Sequence, residues 1–172
     1  MAKFDTLYKL MILYMLKDAS FPMTYSKISD FMVGKEYAHF FSLQSSLAEA
    51  LESGLIHEDV IRTTHYYSIT PEGEETLQFF REDIPQAIRE DISSYLKENR
   101  LEMINEISTI SDYYRNTTGS YSARCTIREH NENLLELTLT VPDESQAKAI
   151  CEKWKEKSQE VYEAITGSLM RN

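Results

Sequence analysis

Apolar residues recur at steps of three and four through most of the chain up to about residue 107, alternate with polar ones over residues 121–128 and 135–141, and then return to helical spacing. Within the first stretch, Phe4, Leu7, Tyr8 and the unbroken run from Leu10 to Leu16 predict a helix over residues 3–17 with almost no polar face. Such a helix is buried on more than one side, either as the centre of its own core or with one face against a second subunit. Ser20-Phe21-Pro22-Met23 reads as a turn and Thr24 as the N-cap of a short helix with Tyr25, Ile28 and Phe31 on one face, ended by Gly34. Residues 35–37 then form a turn, and residues 39–53 a second helix. Centring its buried stripe on Leu47 at 100° per residue turns Phe40, Leu43, Ala50 and Leu51 inward, and Ser42, Ser45 and Glu49 outward.

Gly54-Leu55-Ile56 stops that helix and opens a hairpin, with strands over residues 55–61 and 65–70 around Arg62-Thr63-Thr64. Thr70-Pro71-Glu72-Gly73 starts another helix, with Leu77 and Phe80 on one side. Asp83-Ile84-Pro85 marks a kink or boundary, because proline disfavours helix in the residue before it. Beyond it, Ile88, Ile92, Leu96, Met103 and Ile107 form a stripe that Asn99 interrupts; the pattern suits a linking helix paired with its twin or one packed on its own domain.

The alternating region predicts two half-buried strands. Tyr121, Ala123, Cys125 and Ile127 share one face of the first, and Leu135, Leu137, Leu139 and Val141 share one face of the second. A register with Ile127 opposite Leu137, Cys125 opposite Leu139 and Arg128 opposite Glu136 sets apolar against apolar, with residues 130–134 as the connection. A further strand is expected over residues 111–115. After Pro142-Asp143 comes a long amphipathic helix with Ala147, Ile150, Trp154, Val161, Ile165 and Leu169 on its inner face.

The order helix, turn, helix, glycine stop, hairpin and Thr-Pro-Glu-Gly helix start resembles the winged helix-turn-helix domain of bacterial transcriptional regulators such as the PadR and MarR families. The whole chain, through the strand-strand-helix tail, also resembles an uncharacterised winged-helix-like bacterial family of unknown function. The fold expected is therefore α+β: a winged helix-turn-helix domain over residues 1–82, a linking or dimerisation helix over 83–109, and a C-terminal module over 110–172 with a small antiparallel sheet covered by a long helix. The resemblance implies a regulator that binds double-stranded DNA as a homodimer. Its contacts would come from Lys27 and Lys35 near the first helix and turn, from His39, Ser42, Gln44 and Ser45 on the second helix, and from Arg62, Thr63 and Thr64 at the wing tip. The C-terminal module would dimerise or sense a small-molecule effector, and the sequence leaves both open.

Composition restricts these expectations. The 172 residues carry a net charge of -10, and the deficit is even: residues 1–80 hold six Lys/Arg against eleven Asp/Glu, the rest twelve against seventeen. Non-specific nucleic-acid affinity arises from neutralising phosphates, so a DNA surface here must be a local patch. The competing reading is a non-enzymatic protein-protein interaction module that reuses the winged fold, prompted by this acidity and by Phe41 on the second helix. Cys125 and Cys151 make no CxxC pair and read as buried thiols. His39, His57, His65 and His130 are scattered, with no HxH or HExxH spacing, and no GxSxG elbow, phosphate-binding loop or dinucleotide fingerprint occurs. No catalysis, metal or cofactor is expected. The apolar run after Lys3 and Lys9 lacks a small-x-small cleavage site and is too short to span a bilayer, so no membrane association and a cytoplasmic location are expected.

Overall fold

The computed structural model describes residues 2–61, 63–129 and 132–171, with the side chains of residues 2 and 3 left aside. Its elements are α1 (Ala2–Ala19), β1 (Met23–Thr24), α2 (Tyr25–Met32), α3 (Phe40–Glu52), β2 (Ile56–Ile61), β3 (Thr64–Ile69), α4 (Pro71–Phe80), α5 (Gln86–Ser108), β4 (Thr109–Arg115), β5 (Tyr121–Glu129), β6 (Glu132–Val141) and α6 (Glu144–Met170). The class is α+β, with two antiparallel three-stranded sheets ordered β1-β3-β2 and β4-β5-β6. The chain divides into two units, Met1–Met103 and Ile104–Asn172.

In the first unit α1 is the centre of the core. Leu10, Met11, Ile12, Leu13, Met15 and Leu16 are all buried by residues of the same chain, which selects the core-helix reading of that apolar run. Around it, local chemistry sets the element ends. Thr24 accepts a hydrogen bond from the Lys27 amide at 3.3 Å and caps α2, and it also pairs with Tyr66 as part of β1, a strand too short to announce itself by alternation. At the end of α3, the Gly54 N–H bonds to the Leu51 carbonyl and the Leu55 N–H to the Ala50 carbonyl, a Schellman closure that needs the left-handed φ of 72° at Gly54. Thr70 then caps α4 through the Gly73 amide at 3.0 Å, while its hydroxyl donates to the Gly54 carbonyl at 2.6 Å. The two glycine-bearing motifs read from the sequence thus meet in one joint that fixes β2, β3 and α4 against the end of α3.

Two apolar side chains expected inward lie outside. Phe40 is 51% exposed because α3 begins at it and its side chain overhangs the end of the core, and Phe80 is 49% exposed at the equivalent overhang of α4. The helix expected as a linker mostly belongs to the first unit, since Ile92, Tyr95, Leu96 and Met103 are buried in that core. An apolar stripe cannot by itself distinguish a self-packed helix from a shared one; here the boundary falls inside α5, after Met103, because the residues before it pack into the first core.

In the second unit the hairpin register is Cys125 opposite Leu137 and Ile127 opposite Leu135, two residues away from the expected one. Parity is preserved, so apolar still meets apolar. The shift arises because the strands continue to Glu129 and Glu132, leaving a shorter connection than expected, and because a bulge between Ile127/Arg128 on β5 and Leu135/Asn133 on β6 leaves Leu134 as the extra residue. α6 lies along this sheet with Ala147, Cys151, Trp154 and Ser158 buried, and the Trp154 indole donates to the Thr126 carbonyl at 3.0 Å. Leu169, expected on its inner face, is 79% exposed. Asp143 caps α6 by accepting from the Ser145 hydroxyl at 2.7 Å and the Gln146 amide at 2.9 Å, and these bonds hold its carboxyl below the usual carboxylate range.

Candidate nucleic-acid interface

α3 is the second helix after a turn and carries the largest share of the candidate residues. Leu43, Ser46, Leu47 and Ala50 face the core, so the opposite face is solvent by helical geometry. That face presents Phe41, which is 82% exposed, with Gln44, Ser45, Ala48 and Glu52, all exposed. Ser42 is half-buried beside it. Phe40 and Phe41 meet edge to face with ring centroids 5.6 Å apart. Glu49, the acidic residue nearest the middle of the helix, is tied down to Lys9 of α1 at 2.8 Å. The exposed stripe from Phe41 to Ala48 is therefore uncharged.

One of these side chains is oriented by a neighbour. The Gln44 amide nitrogen donates to the Tyr25 hydroxyl at 2.9 Å, leaving its second N–H and its carbonyl oxygen free. Tyr25 is itself half-buried against the core, so the glutamine is held from α2. Sequence reading placed Gln44 on the interface but not its partner, because the two residues are brought together only by the crossing of α2 and α3.

The turn between α2 and α3 is braced from α5. Phe31 stacks on Tyr37 with centroids 5.3 Å apart and packs tilted against Tyr95 at 5.4 Å, and the Tyr37 hydroxyl bonds Asp91. Burial, then the bond to Asp91 and its charge, push the Tyr37 hydroxyl up to about 12. Lys35 is exposed on this turn with its ammonium 5.9 Å from the Phe31 ring. His39 is exposed and stands at the N-cap of α3, with no side-chain capping bond.

Lys27 does not belong with these residues. It is 7% exposed, its ammonium is 2.9 Å from Glu102, and its carbonyl accepts the Tyr95 hydroxyl at 2.9 Å. A lysine in such a position serves the packing of α2 against α5 and cannot reach a phosphate. Lys27 shares the inner side of α2 with Ile28 and Phe31, which the spacing of charges along the sequence does not reveal.

In the hairpin, Thr63 and Thr64 are exposed, and Arg62 lies outside the described residues. The β2–β3 ladder carries acids paired with histidines: His57 with Asp59 at 3.1 Å and His65 with Glu58 at 3.5 Å. Burial first, then a hydrogen bond to Glu58, raises the Tyr67 hydroxyl well above its ordinary value. Elsewhere in the unit, an open groove of about 730 Å³ beside α1 and α4 is lined by charges with local partners, Lys17 on Glu74 at 3.2 Å and Arg81 over the Tyr14 ring at 5.6 Å. It holds no convergent reactive set. No group of His, Cys, Asp or Glu suited to a metal ion occurs among the described residues, and none of their helices is long and apolar enough to cross a membrane.

A family model for DUF4364, a domain of unknown function, matches residues 8–169. The chain belongs to the DUF4364 family. The match spans both units, so the family is defined by the first unit together with the sheet and α6. No curated protein and no solved structure matches this DUF4364 chain.

Proposed function

We propose that this DUF4364 chain is a cytoplasmic, non-enzymatic transcriptional regulator that binds double-stranded DNA as a homodimer and reads the major groove with α3. The observation that carries the reading is the uncharged, hydrogen-bonding face of α3, with Phe41, Gln44, Ser45 and Ala48 outward and Glu49 drawn away by Lys9. These side-chain types read base edges. Glutamine suits adenine by giving a hydrogen to N7 and accepting from N6, and Gln44 has both groups free while Tyr25 holds it. Phe41 and Ala48 offer apolar contact for thymine methyl groups, and Ser45 bonds either partner. The preferred site is accordingly rich in A·T pairs.

Backbone contacts come from His39 at the start of α3, from Lys35 on the turn, and from Arg62, Thr63 and Thr64 of the hairpin. With two formal cations per protomer, Lys35 and Arg62, a dimer would neutralise about four phosphates, and log Kobs would fall with log salt at a slope of about -4. The decisive experiment is selection of the full-length protein against random duplexes, followed by titration of the enriched sequence at two salt concentrations. Enrichment of a motif with that shallow slope supports the regulator, and no enrichment at low salt by a folded protein removes it.

A second reading has its own observation. The exposed Phe40 and Phe41 pair, on a surface with few cations, fits a protein partner that buries aromatic side chains. In that case the duplex selection is blank and Phe41→Ser abolishes capture of the partner.

A further inference from the structure

The second unit has an unprotected sheet edge. β6 lies at the end of the order β4-β5-β6, and among the described residues it pairs only with β5. Its other side therefore presents backbone N–H and C=O groups without a strand to receive them. Proteins usually blunt such an edge with lysine, proline, a bulge or an inward charge. From Leu135 to Val141 the sequence is Leu-Glu-Leu-Thr-Leu-Thr-Val, with no lysine and no proline, and the bulge sits outside that stretch at Leu134.

The apolar face of this strand is also incompletely covered. α6 places its buried residues Cys151 and Trp154 over β4 and β5, where Ser111 donates to the Cys151 carbonyl at 3.1 Å and Trp154 donates to the Thr126 carbonyl. By contrast Leu135 and Leu137 are only half-buried, and Leu139 is 49% exposed. Both the hydrogen-bonding edge and the apolar surface beside it are unfinished.

We propose that β6 pairs antiparallel with β6 of a second copy of this chain, with Thr138 on the two-fold axis facing itself. The proposal rests on the homodimer of the preceding section and names its interface. Symmetry restricts the register. A two-fold perpendicular to the sheet keeps like faces together, so paired residue numbers must have an even sum. Centring on Glu136 sets that carboxylate against its own copy, a like-charge pair that opposes association. Centring on Thr138 uses the whole regular stretch: Leu137 meets Leu139, Leu135 meets Val141, and Glu136 meets Thr140. The one charge in the stretch already has a partner within its own chain, since Arg124 lies 2.9 Å from Glu136. The result is a continuous six-stranded sheet whose central strands bury the leucines that each copy leaves exposed.

The test is the mass of the full chain in solution combined with single-cysteine cross-linking. Cys125 and Cys151 are buried and do not compete. In the proposed register Thr138→Cys sets two thiols face to face, at the Cα separation of directly opposed strand residues, about 4.5–5.5 Å, within disulfide reach. Glu136→Cys puts its two thiols on the order of 14 Å apart along the strands, beyond it. A dimer mass, cross-linking of Thr138→Cys under mild oxidation and little of Glu136→Cys are the expected results. Thr138→Lys, at an exposed position that leaves the fold intact by circular dichroism, is expected to weaken the dimer by tenfold or more. A monomeric parent at tens of micromolar overturns both the dimer and this interface. A dimer that cross-links equally through both positions, or that tolerates Thr138→Lys, overturns the interface alone and leaves DNA binding as a separate question.

Discussion

The joint between α3, the hairpin and α4 makes a sharp demand on Gly73. A Cβ at this position would lie 2.0 Å from the Leu55 carbonyl oxygen and 2.9 Å from Cγ1 of Ile69. The oxygen cannot swing aside freely, because it accepts the Thr70 N–H at 3.1 Å. Gly73→Ala therefore pits two effects against each other. Replacing a helical glycine by alanine favours the helix by ~1 kcal/mol. Overpacking against fixed backbone costs ~3 kcal/mol, the upper end of its usual range, and strain on the Thr70 bond adds ~1 kcal/mol. The net is a loss of about 3 kcal/mol from the first unit. Gly167 provides the contrast, since its Cβ would meet only the Arg171 side chain at 3.9 Å. Gly167→Ala is expected to be neutral or to stabilise the second unit by up to ~1 kcal/mol. Urea unfolding followed by circular dichroism, fitted with one transition per unit where two are resolved, gives both signs. Should Gly73→Ala match or exceed the parent, the close packing of α4 on Leu55 is wrong.

Three further outcomes follow from specific side chains. Ser46 is 1% exposed and its hydroxyl has no hydrogen-bond partner among the described residues, so Ser46→Ala should raise stability by about 1 kcal/mol in the same urea assay. Burial, then Cys151, pushes the Cys125 thiol from its ordinary 9.0 up to about 11, so the folded state keeps a proton that the unfolded chain releases. Stability is then complete below about pH 9 and falls as pH rises toward 11, and Cys125→Ala should flatten that decline; a decline of equal slope in the variant would refute this origin. At the proposed DNA site, Gln44→Ala should remove an A·T preference worth about 1–3 kcal/mol at one position of the selected motif, and Tyr25→Phe should weaken it less; an unchanged motif in both variants would remove Gln44 as a reader.

What the sequence disclosed and what it hid divide by range. The Schellman end at Gly54 and the caps at Thr24, Thr70 and Asp143 are local chemistry, and each is visible as a residue type at a fixed offset. Strand parity is equally local, so the apolar faces of β5 and β6 were legible although the register was not. The register depended on how far the hairpin continues and on one extra residue at Leu134, and alternation is blind to both. Lys27 shows the same limit at the candidate site. Its charge is visible in the sequence, but its burial is decided by Glu102 and Tyr95, which fold back from α5. The Tyr25 support for Gln44 likewise exists only after α2 and α3 cross.

The same long-range pairing explains why an acidic chain can still present an uncharged stripe on the outer face of α3, the proposed reading surface. Lys9, Lys17, Lys27 and Arg89 lie on Glu49, Glu74, Glu102 and Glu82, while Arg81 and Arg100 lie over Tyr14 and Phe21. These cations are engaged in contacts within the first unit, and Lys9 draws Glu49 off the outer face of α3. Electrostatic attraction to a duplex is left small, so affinity would rest on base-edge contacts and on two copies binding together rather than on phosphate neutralisation. A regulator built this way would discriminate well only as a dimer, because one protomer with two cations among its proposed backbone contacts holds duplex DNA weakly. The β6 edge and the α3 face are therefore coupled: Thr138→Lys, though it alters no residue proposed to touch DNA, should lower affinity for the selected duplex while leaving the preferred base sequence of each half-site unchanged.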